Sequence, residues 1–316
     1  MSQEQELTWM DAIKERWGYR YERFQRGWDQ FTTHRMGVVG LAILVVFVLV
    51  ALFPSVFAPH PVDWRAYLGT GQGYLTMEQI NTMPHPPAFG DPFFVPLGTN
   101  YQGYGILTEL VYSTQTALFI GFAAGTLSSL VGVPLGLISG YYGDTWIDET
   151  IQRVADIMYS LPFLPLVVVL VAIRGITTTN IILAIVVKSW INNTIVIRGE
   201  ALSLRENAYV DSAKISGASD TRIIFRHILP HVLPLSFVYL AQDAAMAILT
   251  QASLAYLGLA DFTGHSWGLM LQQIQSQGYV FSAWWWLIPP GLAITLVAAA
   301  FYFIGFSMED VANPQR

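Results

Sequence analysis

Gly37 to Phe57 reads GVVGLAILVVFVLVALFPSVF, twenty-one residues without a charged side chain. About 20 apolar residues in a helix cross the hydrocarbon core of a bilayer, and backbone groups in lipid must bond internally, so this stretch predicts a transmembrane helix. Charge-poor runs recur at Ala117 to Ile138, Ile157 to Ile173, Asn180 to Ile197, Leu235 to Leu257 and Trp286 to Phe306. Over all 316 residues, 53% are hydrophobic and 12% charged, about half the charged share of a soluble domain, which excludes a water-soluble fold. The expected fold is therefore an all-α membrane protein with six transmembrane helices.

Orientation follows from Lys and Arg, which stay on the cytoplasmic side. The segment before the first span carries Lys14, Arg16, Arg20, Arg23, Arg26 and Arg35, and the stretch from Arg198 to Arg226 carries five more, so both termini are expected to be cytoplasmic. Within 1–36, Met10, Ile13, Trp17, Phe24, Trp28 and Phe31 fall at helical spacing among these cations, as in an amphipathic helix on an anionic lipid surface. A long charged segment before the first apolar run does not fit a cleaved signal peptide, so that run is read as a retained span. Segment 58–112, rich in Pro, Gly and aromatics, is expected outside as a cap or extended loop. A second outer loop ends in Trp284, Trp285 and Trp286, expected as an aromatic belt. Pro134, Pro162, Pro165, Pro289 and Pro290 are expected to kink or end their helices.

The stretch between the fourth and fifth spans, 199–231, is the most informative. Glu206-Asn207-Ala208-Tyr209-Val210-Asp211-Ser212-Ala213-Lys214-Ile215-Ser216-Gly217 reads as a helix closed by a glycine. Ser219 or Asp220 can cap a second helix, which Pro230 would end. Tyr209, Ala213 and Gly217 share one face at i, i+4, i+8, small after the tyrosine and suited to a close-fitting partner.

Asp211, Ser212, Ala213, Gly217, Leu229 and Pro230 resemble the EAA loop of ATP-binding-cassette importer permeases, E-A-A-x3-G-x9-I-x-L-P, at full spacing. Asp211 stands for the Glu, Ser212 for the first Ala, and His227 for the Ile. Further motifs in order resemble the dipeptide, oligopeptide and nickel branch: Phe57-Ala58-Pro59 after the first span, Pro96-Leu97-Gly98-Thr99-Asn100, Gly132-Val133-Pro134-Leu135-Gly136, Gly140-Tyr141-Tyr142-Gly143 with Asp148-Glu149, Trp190 and Arg198, Trp267-Gly268 and the tail from Gly305. The first span and its exit resemble the extra N-terminal domain of one of the branch's two permeases. The resemblance implies a type I importer permease in the cell membrane: a first helix at 37–57, a five-helix core at 113–306 and a cytoplasmic tail at 307–316. It also implies that the EAA loop docks an ATPase and that the complex has a homologous permease, two ATPase subunits holding ATP and Mg, and an external solute-binding protein. Where the family usually has G-R-D, this chain has Gln102-Gly103-Tyr104-Gly105; Ile195 and Gln251 stand where Arg and Glu are common. These losses of charge leave oligosaccharide cargo open beside peptides.

Lys188 and Asp243 are charges inside the fourth and fifth spans. Charges in lipid pair or line a polar path, so the two are read as an ion pair or as separate pathway residues. They also keep open an ion-coupled secondary transporter. The chain has no G-x-x-x-x-G-K-[ST] loop for ATP, so it is not expected to be an enzyme or to hold a cofactor. With no Cys and scattered His, no metal site is expected. Its clustered cations do not form a nucleic-acid-binding stripe.

Overall fold

In a computed structural model, residues 28–29, 31–60, 84–90, 93–259 and 264–312 are described. The amphipathic segment before residue 28 and the outer segment 61–83 lie outside them. The first predicted span forms α1 (Arg35–Leu52). Phe53 breaks it, and Pro54, whose missing N–H costs nothing at a helix start, opens a separate turn, Pro54–Phe57. The bundle continues with α2 (Ile106–Tyr141), α3 (Trp146–Ser160), α4 (Phe163–Arg174), α5 (Thr178–Arg205), α6 (Ala208–Ile215), α7 (Leu229–Tyr256), α8 (Trp267–Ser276) and α9 (Trp284–Ala312). Before α2, β1 (Ala88–Gly90) and β2 (Phe93–Val95) pair antiparallel in a small hairpin, with Ala88 opposite Val95.

Among the described residues, α1, α2, α5, α7 with the turns leading into it, and α9 are long and apolar enough to cross a membrane. The span expected from Ile157 to Ile173 is not one straight helix: α3 and α4 meet at a bend of 89°. Pro162 forces this, because its ring excludes Leu161 from helical geometry, and Leu161 is extended at ψ 132°. Pro134, Pro289 and Pro290, by contrast, lie inside α2 and α9 without ending them.

α2 is the central helix, and glycines let it pack at two levels. Cβ atoms at Gly121 and Gly125 would press on α7 at Ile248 and Leu240 O. Gly132, Gly136 and Gly140 make a second stripe, four residues apart, against α5. Gly37 and Gly40 of α1 press on Ser307 and Ala300 O of α9 in the same way.

The Trp cluster is not a uniform headgroup belt. Trp284 is exposed, but Trp286 is fully buried with Trp267, Met270 and Ile106, its ring stacked on Tyr101 at 5.9 Å. Sequence composition cannot tell which side of a helix a tryptophan leaves by. Asn100 organises the loop before α2. Its side-chain oxygen accepts from Gln102 N (2.9 Å) and Tyr104 N (3.0 Å), and its amide donates to Glu109 (3.1 Å).

Candidate functional site

α6 stands at the end of the bundle where α2 stops and α7 begins. Gly217, at φ +79°, closes it: Ala218 N donates to Ala213 O (3.0 Å) and Gly217 N to Lys214 O (2.9 Å), which satisfies two end carbonyls. The predicted second helix does not stop at Pro230. Asp220–Ile223 runs through a π turn at Ile224–Ile228 directly into α7, and the wider turn makes room for the proline ring at the start of α7. Asp220 does not cap this run. It accepts the hydroxyls of Tyr141 (2.6 Å) and Tyr142 (2.9 Å) from the end of α2. Arg205, at the end of α5 where the chain enters the hairpin, donates to Tyr141 O and Gly143 O, both at 3.2 Å, so the base of the hairpin is tied to the end of α2 as well.

The hairpin has an inner and an outer face. Val210 is fully buried against Ile223, Ile228 and Val232, with Ala213 and Leu229 packed at the margin of that cluster. Tyr209 stacks on His231 at 5.6 Å. Asp211, Ser212, Gly217 and Pro230 are exposed, and Ile215 is 88% exposed, so an aliphatic side chain stands almost free at the tip.

Beside the hairpin, Asp148 gathers three helices. Arg198 of α5 donates Nε to Oδ1 (2.7 Å) and Nη2 to Oδ2 (2.6 Å), Ser139 of α2 donates to Oδ1 (2.5 Å), and Asp144 N donates to Oδ2 (3.1 Å). A bidentate guanidinium on a buried carboxylate is the strong form of this contact. It lies in the polar turn before the apolar part of α3 and α4. Arg198→Met strands the carboxylate and is expected to cost about 3 kcal/mol. The measurement is thermal unfolding in detergent, and adding Asp148→Asn is expected to recover part of the loss.

Lys188 and Asp243 do not form an ion pair. Lys188 Nζ donates to Tyr159 O at 3.4 Å, and Asp243 Oδ2 accepts from Asn193 Nδ2 at 2.7 Å. Asn193 is five residues after Lys188 and so roughly 140° around α5, which turns the acid away from the lysine. Both charges nevertheless line one cavity of about 560 Å³ beside the α3–α4 break.

Residues 132–316 match the family described as binding-protein-dependent transport system inner membrane component. Residues 22–81 match the N-terminal TM domain of oligopeptide transport permease C. The chain belongs to the first of these families. It is 34% identical to the dipeptide transport system permease protein DppC of Alkalihalophilus pseudofirmus, over 92% of this chain and 90% of that one. With the oligopeptide transport system permease protein OppC of Bacillus subtilis the identity is 30%, over 90% and 88%. A chain of the MetNI methionine ABC transporter, solved in inward-facing conformations, has the same fold at TM-score 0.51 and 18% identity, over 66% of this chain and 97% of that one.

This binding-protein-dependent permease is thus a multi-pass inner-membrane protein. Its α6 hairpin, Asp148 cluster and cavity all fall inside the matched core. The structure joins motifs that the sequence shows only in order: Asp148 reaches Arg198, and the Tyr141–Tyr142 pair reaches Asp220. Asn193, the partner of Asp243, carries no sequence signal of its own. Ile215 could have been found as the one large aliphatic residue in a polar helix end.

Proposed function

We propose that this permease forms half of the translocation path of an ATP-driven peptide importer and takes its mechanical input through α6. A homologous permease completes the path, two ATPase subunits hold ATP and Mg, and an external binding protein delivers the solute. The observation that carries the reading is the hairpin itself: a short helix with a bare aliphatic tip turns at Gly217 into a second arm that is fastened to α2 through Asp220 and runs on into α7. Movement of a rigid lever so attached must move both spans. Arg198, Arg205, Lys214, Arg222 and Arg226 gather at this end, which supports a cytoplasmic position. Nucleotide-driven closure of the ATPases would shift the two levers and so favour one of two permease states over the other.

Peptide cargo is supported by the dipeptide and oligopeptide systems named among the relatives. The ion-coupled alternative rested on Lys188 and Asp243, and membership of a binding-protein-dependent family weighs against it. The test is uptake by proteoliposomes carrying the complete complex. Labelled dipeptide should enter only with ATP and binding protein. Uptake without ATP, or uptake of oligosaccharide in place of peptide, overturns the reading.

A further inference from the structure

We infer that the cavity beside the α3–α4 break is a transit subsite for the zwitterionic ends of a small peptide, with Asp243 receiving the ammonium group and Lys188 the carboxylate. The inference rests on the peptide-importer reading and deepens it. The cavity, about 560 Å³, is lined by both charges and by Tyr159, Ser160 and Asn192, and its volume lies in the range of small-ligand sites. Lys188 and Asn192 stand four residues apart on one face of α5, while Asp243 comes from α7, so the cations and anions of a ligand would be held from two helices.

The charges are built for an outside partner. Lys188 has three donors, and its one hydrogen bond among the described residues, to Tyr159 O at the broken end of α3, is long at 3.4 Å. Asp243 is held on one oxygen by Asn193 and meets no cation among the described residues. A charge held in a membrane bundle away from its countercharge is costly. A zwitterion supplies both missing countercharges at once, whereas a neutral sugar would leave both unmatched. The proline-enforced break adds to this, since it opens backbone carbonyls such as Tyr159 O onto the cavity in place of a continuous helix wall.

The chain has no cysteine, so Met246→Cys, on the cavity lining, places a single thiol there. In proteoliposomes carrying the whole complex, that thiol should react with a small charged methanethiosulfonate reagent. Dialanine, supplied with binding protein and ATP, should slow the reaction. Lys188→Met or Asp243→Asn in the same background should each weaken protection about tenfold, the loss expected for one charge-assisted contact. The subsite is overturned if the thiol never reacts, if dialanine does not slow it, or if neither substitution changes the protection. If dialanine uptake itself fails while the thiol still reacts, the peptide reading falls and the subsite falls with it. If uptake proceeds without protection, the subsite alone is wrong.

Discussion

An Ile215→Asp permease is expected to insert and fold like the wild type, yet to lose about 30-fold or more of its ATP-dependent transport, because a docking hot spot is worth about 2 kcal/mol or more. The side chain is 88% exposed, so nothing inside the subunit depends on it. Exposure of that degree on a large aliphatic residue otherwise carries only a solvation cost. If α6 docks the ATPase as proposed, an aspartate there puts a charge into that contact. Ala213 is a poorer place to test docking, since it packs at the edge of the Val210 cluster and a bulky replacement would disturb the hairpin first. Gly217 is also mixed: its φ of +79° makes any side chain strain the turn by about 1 kcal/mol before a partner is met. Two readouts decide the matter, ATPase stimulation by the assembled complex and membrane abundance of the subunit. Wild-type stimulation by Ile215→Asp at normal abundance would remove α6 as the lever.

That choice of residue shows how far the sequence carries. Apolar runs located the spans, because lipid imposes a length of about 20 residues that hydropathy records directly. It records only the part in lipid, so Asn180 to Ile197 was legible while the helix runs Thr178–Arg205, continuing into the aqueous end where hydrogen bonding persists without apolarity. Pro162 was legible as a break but not as an 89° bend, and Pro230 looked like a stop because a π turn leaves no sequence mark. The EAA spacing located the hairpin. Its faces were less clear: Tyr209 and Gly217 of the expected face stay exposed, but buried Val210 turns Ala213 toward the bundle, and Ile215, off that face, is the most exposed large side chain of the helix. Contacts across fifty residues, Arg198 to Asp148 and Asn193 to Asp243, depend on how α5 is rotated against its neighbours. No local pattern encodes that rotation, and this is why the Lys188–Asp243 pair was a reasonable expectation that the geometry does not meet.

What fixes the rotation of α5 is the glycine stripe of α2, and its alteration is expected to have the largest effect on folding. A methyl group at Gly132 would lie 2.5 Å from Trp190 O and from Asn193 Cβ, and one at Gly136 would lie 2.7 Å from Thr194 O and 2.8 Å from Ile197 Cβ. Backbone atoms of α5 cannot turn aside as a flexible side chain can, so the helices must separate. Overpacking costs about 1–3 kcal/mol per site, and Gly132→Ala with Gly136→Ala should together remove about 2–6 kcal/mol. Neighbouring sites share one interface and so need not add. Separation would also move Asn193 off Asp243 and Arg198 off Asp148, carrying the damage to the cavity and to the hairpin's base. Gly199 provides the control: nothing lies within 4 Å of its Cβ position, and Gly199→Ala should be neutral or stabilise α5 by up to about 1 kcal/mol through reduced backbone freedom. Unfolding in detergent for the three variants measures the contrast. Equal stability of the Gly132 and Gly136 variants with the Gly199 control would mean that α2 and α5 are not in backbone contact, and the placement of every polar group on α5 would have to be revised.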